Sequence, residues 1–171
     1  MIPCQDFPKW AARLGHNVSI ATHLKYWLFR PGYRFVHDYR VYKRVKSWPI
    51  CGRALGSFLW RRNCIRFSSE IAQNSVIGAG LYTPHPYGIV IGLCEIGEDV
   101  EILQNVTIGK LRASDSGSPK IGHRAKIGAG VVILGDVEIG NDAVIGANAV
   151  VLSNVPDKAT AVGNPARVLS S

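Results

Sequence analysis

A six-residue period of aliphatic side chains in the second half of the chain constrains the fold more than any other feature. One run continues without a slip through Ile121, Ile127, Ile133, Ile139, Ile145 and Val151. Shorter runs with the same spacing precede it at Ile71 and Ile77 and at Ile96, Ile102 and Ile108. This period fits neither the α-helix, with about 3.6 residues per turn, nor plain alternation along a strand. It predicts a coil with equal short sides, each of which turns one aliphatic side chain inward.

Small residues support the prediction of a coil. Glycine follows most of the aliphatic positions directly, and a small residue stands two positions before the next one, at Ala125, Val131, Val137, Ala143 and Ala149. These side chains would also face inward, next to the corners, where a large side chain does not fit. Because three sides make one turn, residues 71–156 predict roughly four turns stacked at about 4.8 Å.

Three interruptions of the period mark candidate functional segments. The aliphatic pattern breaks between Thr83 and Ile91, where His85 lies between two prolines. The step from Ile91 to Ile96 is one residue short, and the polar residues 110–119 predict a loop extruded from the coil. Loops on rigid scaffolds often carry binding and catalytic residues, so these segments are the first places to look for a site.

The composition divides the chain near residue 70. Residues 1–70 contain 13 of the 20 Lys and Arg residues, 3 of the 12 Asp and Glu residues, and 13 of the 15 aromatic residues. We therefore predict a basic, aromatic-rich helical region over residues 1–69 and a separate domain formed by the coil over residues 70–171, which ends in a C-terminal tail. Helices are predicted over residues 19–29, 31–46 and 50–62, the last with Leu55, Phe58 and Leu59 on its apolar face. These helices would cap the open first coil.

Four motifs follow one another in the second part of the chain: His85-x-x-Gly88-Ile89-Val90-Ile91-Gly92, Ile102-Leu103-Gln104-Asn105-Val106-Thr107-Ile108-Gly109, Pro119-Lys120-Ile121-Gly122 and Val162-Gly163-Asn164-Pro165-Ala166-Arg167. This ordered set resembles the hexapeptide-repeat acyltransferases, and within them the serine acetyltransferase branch. The resemblance implies a mainly β fold, a left-handed parallel β-helix with a short N-terminal helical cap. It also implies acetyl-CoA as the donor, a hydroxyl group as the acceptor, and a homotrimer with active sites between adjacent β-helices.

The resemblance also implies a catalytic pair. His85 stands at the position of the family's catalytic histidine, and Glu70 stands where the family has an aspartate that orients this histidine. A hydroxyl group is a weak nucleophile near neutral pH, so a base with a pKa near 7 must take its proton, and histidine is the natural candidate. A backbone N–H near Gly109 is the candidate oxyanion donor, because glycine allows close approach.

Acetyl-CoA, the co-substrate, is expected to lie along the coil. The family binds the pantetheine arm near small residues, here Ala129, Gly130 and Ala147, and the phosphates near basic residues, here Lys158 and Arg167. A direct transfer from a thioester requires no metal. The cysteines also lack the close spacing that zinc ligands show, so no metal site is predicted.

The acceptor is predicted to be a sugar. Serine acetyltransferases carry an aspartate directly before the catalytic histidine and an Arg-His pair before the Pro-Lys-Ile motif, where this chain has Pro84, Gly117 and Ser118. A buried serine without charged partners would bind poorly. These departures resemble the capsule and colanic-acid acetyltransferases. We therefore predict O-acetylation of a sugar hydroxyl in a capsular polysaccharide or exopolysaccharide or its precursor, with Tyr87 and Tyr82 contacting the acceptor.

Three other functions are alternatives to the acetylation of a sugar. The first is serine O-acetyltransferase of cysteine biosynthesis, the alternative within the same branch. A γ-type carbonic anhydrase shares the β-helix but needs a histidine cluster for zinc, and the repeat contains only His85 and His123. A non-catalytic scaffold would have little reason to keep the interruption at His85.

The basic first region indicates a second kind of partner. Tryptophan, tyrosine and arginine on amphipathic helices suit an anionic membrane surface or a polyanionic glycan, and a plainly solvated surface is the alternative. No nucleic-acid-binding module is recognised, so nucleic acid is not a predicted partner. Neither a transmembrane-length apolar stretch nor a signal-peptide pattern occurs. The predicted location is therefore cytoplasmic, including a peripheral position at the inner face of the cell membrane.

Overall fold

The computed structural model describes residues 5–112 and 114–169. In these residues four helices precede fourteen short strands. The helices are α1 (Phe7–Arg13), α2 (Ile20–Phe29), α3 (Pro31–Lys46) and α4 (Gly52–Phe67). The strands are β1 (Glu70–Ile71), β2 (Val76–Ile77), β3 (Val90–Ile91), β4 (Glu95–Ile96), β5 (Glu101–Ile102), β6 (Thr107–Gly109), β7 (Lys120–Ile121), β8 (Lys126–Ile127), β9 (Val132–Leu134), β10 (Glu138–Ile139), β11 (Val144–Ile145), β12 (Val150–Val151), β13 (Thr160–Val162) and β14 (Arg167–Val168).

The strands form three sheets, which are the three sides of a left-handed parallel β-helix. The first sheet has the order β1-β3-β6-β9-β12, the second β2-β4-β7-β10, and the third β5-β8-β11-β13-β14. All pairs are parallel except β13 with β14. The architecture confirms the predicted fold class, and the five strands of the first sheet agree with the predicted four turns.

The strand register follows the six-residue period and its interruptions. Lys126 pairs with Val144, eighteen residues later, as a three-sided turn requires. Thr107 pairs with Val132, twenty-five residues later, because the polar loop between β6 and β7 is extruded from the coil. The step between Val90 and Thr107 is seventeen residues, which reflects the short segment between β3 and β4.

The inward aliphatic side chains form the core, as predicted. On the first sheet the buried column consists of Ile71, Ile91, Ile108, Ile133 and Val151. The small residues two positions earlier are buried as well, from Ala125 to Ala149. Full burial of one such side chain contributes about 1.5–3 kcal/mol, so the stacked columns are the main source of stability of the coil.

The helices cap the first coil. The hydroxyl groups of Tyr39 and Tyr42 donate to the carbonyl oxygens of Ser75 and Ile71 at 3.2 and 3.0 Å, and the indole of Trp60 also donates to Ile71 at 3.0 Å. These bonds satisfy carbonyl groups that have no preceding coil to pair with. Burial raises the pKa of Tyr39 to about 12 and that of Tyr42 further, so both hydroxyl groups remain donors.

The helix predictions hold for α2 and α3 but only partly for α4, and α1 was not predicted. The helix α4 packs on α3 through small side chains, since a Cβ added at Gly56 would lie 2.9 Å from the Cα of Lys46. Leu55 and Phe58, which were predicted to form its apolar packing face, are exposed instead. No helix in the described ranges is long and apolar enough to cross a membrane. The division of the chain into two domains stays a prediction.

A buried ion pair joins α1 to the first coil. Asp6, which has no exposed surface, accepts from the guanidinium of Arg40 at 2.9 Å and from the backbone N–H of Gly80 at 2.7 Å. Arg40 also donates to the carbonyl oxygens of Ile77 and Gly78 at 2.7 and 2.6 Å. The pair therefore fixes the cap at one corner of the coil.

We expect Arg40→Ala to lower the free energy of unfolding by about 3–5 kcal/mol, because it leaves the buried carboxylate of Asp6 without its charged partner. Urea denaturation followed by circular dichroism measures this loss. Arg124→Ala is the matched control, because Arg124 and Asp142 form an exposed pair at 2.7 Å that should contribute little. Equal midpoints for the two variants would contradict a special role for Asp6 and Arg40.

Candidate active site

The interruption at His85 lies on one of the three edges of the coil, between the third and first sheets. We call this edge the histidine corner and define it by residues 85–88, 104–105, 129–130, 147–148 and 163–165. Backbone hydrogen bonds connect its rungs: Asn105 donates to Tyr87, Gly130 to Gln104 and Asn148 to Ala129, at 2.8–3.0 Å. Successive rungs are about 4.8 Å apart, so the corner is a continuous column above His85.

Glycine and asparagine alternate in the left-handed conformation along the histidine corner. The φ angles of Gly88, Asn105, Gly130 and Asn148 are 68°, 59°, 70° and 59°. A Cβ added at Gly88 or Gly130 would lie 2.2 Å from the side-chain oxygen of the asparagine on the next rung. The two glycines are therefore required, and they leave the corner narrow and open beside His85.

The side chain of His85 is exposed, and its loop rests on the residues that follow α4. Gly88 donates its N–H to the carbonyl oxygen of Ser68 at 3.2 Å, and the hydroxyl of Ser69 donates to the carbonyl oxygen of Pro86 at 2.9 Å. Glu70 comes next in the chain and pairs with Val90 in the first sheet, so it lies on the same side of the coil as the loop. In the described part of the chain no hydrogen bond joins the side chains of His85 and Glu70. Their pairing therefore stays a prediction.

Gly109 lies at the other end of the first sheet. It follows Asn105 by four residues along the extended chain, which corresponds to about 13 Å. Gly109 also ends β6, directly before the extruded loop, and accepts at its carbonyl oxygen from Gly135 at 3.0 Å. Within one chain Gly109 and His85 therefore occupy different edges of the coil.

The residues predicted to bind acetyl-CoA are distributed over two corners. Ala129, Gly130 and Ala147 lie on the histidine corner, above His85. Arg167 pairs with Val162 beside the turn that closes this corner.

Lys158 lies instead on the edge between the second and third sheets. It has a φ of 60° and donates its backbone N–H to Asn141 at 2.7 Å. Its neighbour there is Asp142, whose pKa is held below its usual value by the hydrogen bond from Arg124, with a smaller contribution from Lys158. Arg167 and Lys158 therefore lie near opposite ends of β13, on different edges of the coil.

The two tyrosines predicted to contact the acceptor differ in their surroundings. Tyr87 is 49% exposed on the histidine corner. The ring of Tyr82 packs against Trp10 with a centroid distance of 4.6 Å, and the guanidinium of Arg13 lies 4.4 Å from its centroid. Tyr82 therefore serves the contact between α1 and the third sheet, which leaves Tyr87 as the aromatic residue beside His85.

Two polar residues of the site were not predicted. Ser69 is buried next to the His85 loop, and nothing in its local sequence distinguishes it from any serine that follows a helix. Gln104 lies one rung above Tyr87, and its side-chain oxygen is buried without a hydrogen-bond partner among the described residues. An amide oxygen in this state is one that a bound ligand can satisfy.

Two cysteine thiols have raised pKa values. Burial raises the pKa of Cys64 to about 11 and that of Cys94 to about 12, which keeps both thiols protonated. Over residues 5–112 and 114–169, no group of three His, Cys, Asp or Glu side chains is placed to hold a metal ion.

Comparison with known proteins gives a consistent result. The family profile described as "Bacterial transferase hexapeptide (six repeats)" matches residues 118–153. A solved structure of soybean serine acetyltransferase complexed with serine superimposes with a TM-score of 0.82 at 35% identity, over 96% of this chain and 67% of that one. The chain belongs to the hexapeptide-repeat transferase family.

Two further relatives show the extent of the similarity of this hexapeptide-repeat transferase. A serine acetyltransferase structure in complex with CoA superimposes with a TM-score of 0.81 at 33% identity, over 97% of this chain and 67% of that one. The serine acetyltransferase of Haemophilus influenzae is 39% identical over 145 residues, which are 84% of this chain and 54% of the relative. The chain thus spans about half the length of the full-length relatives that it matches.

Proposed function

We propose that this hexapeptide-repeat transferase is an acetyl-CoA-dependent O-acetyltransferase. The observation that carries the proposal is the exposed His85, which lies at the foot of a corner column of small residues, Ala129, Gly130 and Ala147. A relative of the same fold was solved with CoA, and the small side chains leave room for a thin acyl carrier along the column. The proposal therefore combines a base and a donor site on one edge of the coil.

The chemistry is a direct transfer. The acceptor hydroxyl oxygen attacks the thioester carbonyl carbon while a ring nitrogen of His85 removes the hydroxyl proton. The carbon–sulfur bond then breaks, and His85 returns the proton to the departing CoA sulfur. Glu70 would hold the histidine ring and stabilise its charged form. A backbone N–H near Gly109 would stabilise the negative charge on the carbonyl oxygen.

The proposed site needs more than one copy of the chain. His85 and Gly109 lie on different edges of one chain, and the span from Asn105 to Gly109 along the first sheet is about 13 Å, too long for both edges to contact one thioester. A homotrimer in which the histidine corner of one copy faces the Gly109 edge of the next would bring them together.

Serine is the acceptor with the stronger support. The relatives are named as serine acetyltransferases, and the soybean structure contains serine. These comparisons do not support the predicted closeness to capsule and exopolysaccharide acetyltransferases. We therefore propose serine O-acetylation as the first function to test.

A neutral sugar hydroxyl is the second candidate, because one observation favours it. Gly117 is packed so closely on Asp136 that an added Cβ would lie 2.3 Å from the carboxyl carbon, so a long basic side chain does not fit there without movement of the loop. Pro84, Gly117 and Ser118 are all uncharged. These three positions therefore offer no charged partner to the amino and carboxylate groups of serine.

The two acceptors can be separated by direct assay. We expect the release of free CoA from acetyl-CoA when serine is added to the whole chain. A trisaccharide of a de-O-acetylated exopolysaccharide is assayed separately as the other acceptor. Turnover on the sugar alone would reverse the order of the two candidates. The absence of turnover with both, while acetyl-CoA still binds, would contradict both acceptor assignments.

His85→Ala should lower kcat by about 10²–10⁴ without a comparable change in the KM for acetyl-CoA, because the general base is lost while the donor site remains. His123→Ala is the matched control. His123 lies in a regular rung, where its Nδ1 accepts from the backbone N–H of Glu98 at 3.0 Å. An unchanged kcat in the His85 variant would remove this residue from the mechanism.

We also propose that the exposed side of α4 binds an anionic membrane surface. Phe58 and Ile65 are 63% and 69% exposed and line a shallow groove together with Arg61, Arg62 and Arg66. The groove thus combines apolar side chains with an excess of positive charge, which suits insertion beside anionic lipid headgroups.

One carboxylate neutralises this region only in part. Asp38 lies 3.9, 4.0 and 3.4 Å from Arg34, Arg62 and Arg66, so three guanidinium groups share one negative charge. Burial and the charge of Arg66 lower the pKa of Arg34, which reflects the same excess. Lipid phosphates would supply the missing negative charge.

Vesicle co-sedimentation tests this contact. At low salt we expect the full-length protein to bind vesicles of phosphatidylcholine with phosphatidylglycerol but not phosphatidylcholine alone, and to dissociate as salt screens the arginines. Phe58→Ser with Ile65→Ser should weaken binding, whereas Leu152→Ser, an exposed apolar residue of the β-helix, should not. Absence of binding at low salt would contradict the proposal.

A further inference from the structure

We infer that Ser69 is the residue that positions the His85 loop for the proposed reaction. Its side chain is 4% exposed, and its hydroxyl makes two hydrogen bonds to the loop. It donates to the carbonyl oxygen of Pro86 at 2.9 Å and accepts from the backbone N–H of Ile89 at 2.9 Å. The hydroxyl thus contacts the chain on both sides of Tyr87, directly after His85.

The two hydrogen bonds of Ser69 replace the backbone hydrogen bonds that a preceding coil would make to the loop. The His85 loop belongs to the first coil, so a rung of the β-helix lies only above it, where Asn105 donates to the carbonyl oxygen of Tyr87 at 2.9 Å. On the other side the loop meets the segment that follows α4. There Ser68 adopts a left-handed conformation with a φ of 47°, ends the helix and turns the next residues toward the loop.

Three backbone contacts accompany the hydroxyl, but none of them reaches Pro86. Gly88 donates to Ser68 at 3.2 Å, Glu70 donates to Ile89 at 2.7 Å, and Asn105 holds Tyr87 from above. Among the side-chain hydrogen bonds of the described residues, the one from Ser69 connects this segment to Pro86, the residue next to His85. Because Glu70 is the next residue in the chain, the same contact fixes the base relative to its proposed orienting carboxylate.

Ser69 therefore acts through His85 and is a positioning residue. Without the hydroxyl, the carbonyl oxygen of Pro86 and the N–H of Ile89 lose their partner, and the loop can shift away from Glu70. A displacement of a reacting group by about 1 Å can lower a rate by about 10²-fold. The inference rests on the proposed acetyl transfer, but the contact itself can be tested without it.

Ser75 provides a matched control. It has no exposed surface, and its hydroxyl donates to the carbonyl oxygen of Gly92 at 2.7 Å, on the edge between the first and second sheets, away from the His85 loop. Ser69→Ala and Ser75→Ala each remove a buried hydroxyl of the first coil. Both should lower the Tm by about 2–4 °C.

Only Ser69→Ala should lower kcat, by at least about tenfold, with an unchanged KM for acetyl-CoA, and Ser69→Thr should restore most of the rate because it keeps the hydroxyl. Amide hydrogen exchange of Gly88 and Ile89 should accelerate in Ser69→Ala but not in Ser75→Ala. Equal kcat values for the two alanine variants, or unchanged exchange at Ile89, would overturn the inference. If the wild-type protein transfers no acetyl group to any acceptor, the proposed function fails, and the exchange experiment still decides whether Ser69 holds the loop.

Discussion

The repeated hydrogen-bond register between coils is the constraint on which the rest of the structure depends. In the regular part of the coil each rung pairs with the rung eighteen residues later, so each inward position is stacked on a residue of the same kind. The interior of such a coil is narrow, and a change of size in one rung would be transmitted to its neighbours. Aliphatic residues at fixed spacing are therefore a requirement of the fold, and chemistry is confined to the edges and to the interruptions.

The interruptions retain the register while they change the surface. The insertion of the polar loop between β6 and β7 leaves Ile108 stacked on Ile133, and the break around His85 leaves Ile71 stacked on Ile91. The core thus continues through both functional segments. This separation allows the edges and loops to vary while the scaffold stays the same.

The sequence alone predicted the coil and its interruptions, because both are expressed in local spacing, whereas the handedness came from the family resemblance. It did not predict which edge a residue occupies in the last coil, where Lys158 and Arg167 lie near opposite ends of β13. The contact of Tyr82 with Trp10 was not predicted, because Trp10 lies far away in the sequence. For Ser69 the deciding information is a pair of hydrogen bonds to a distant loop, which no pattern of residue types expresses.

The strand β14 limits how further strands can add to the end of the coil. A stack of parallel coils offers the same backbone template at its last rung as at every rung before it, so nothing in the repeat itself ends the growth. In this chain β14 turns back and pairs antiparallel with β13, which places a strand of opposite direction on the edge of the third sheet. At the opposite end the aromatic helices cover the first rung. Both templates are thereby blocked at these positions, and the coil is protected from end-to-end polymerisation into fibres.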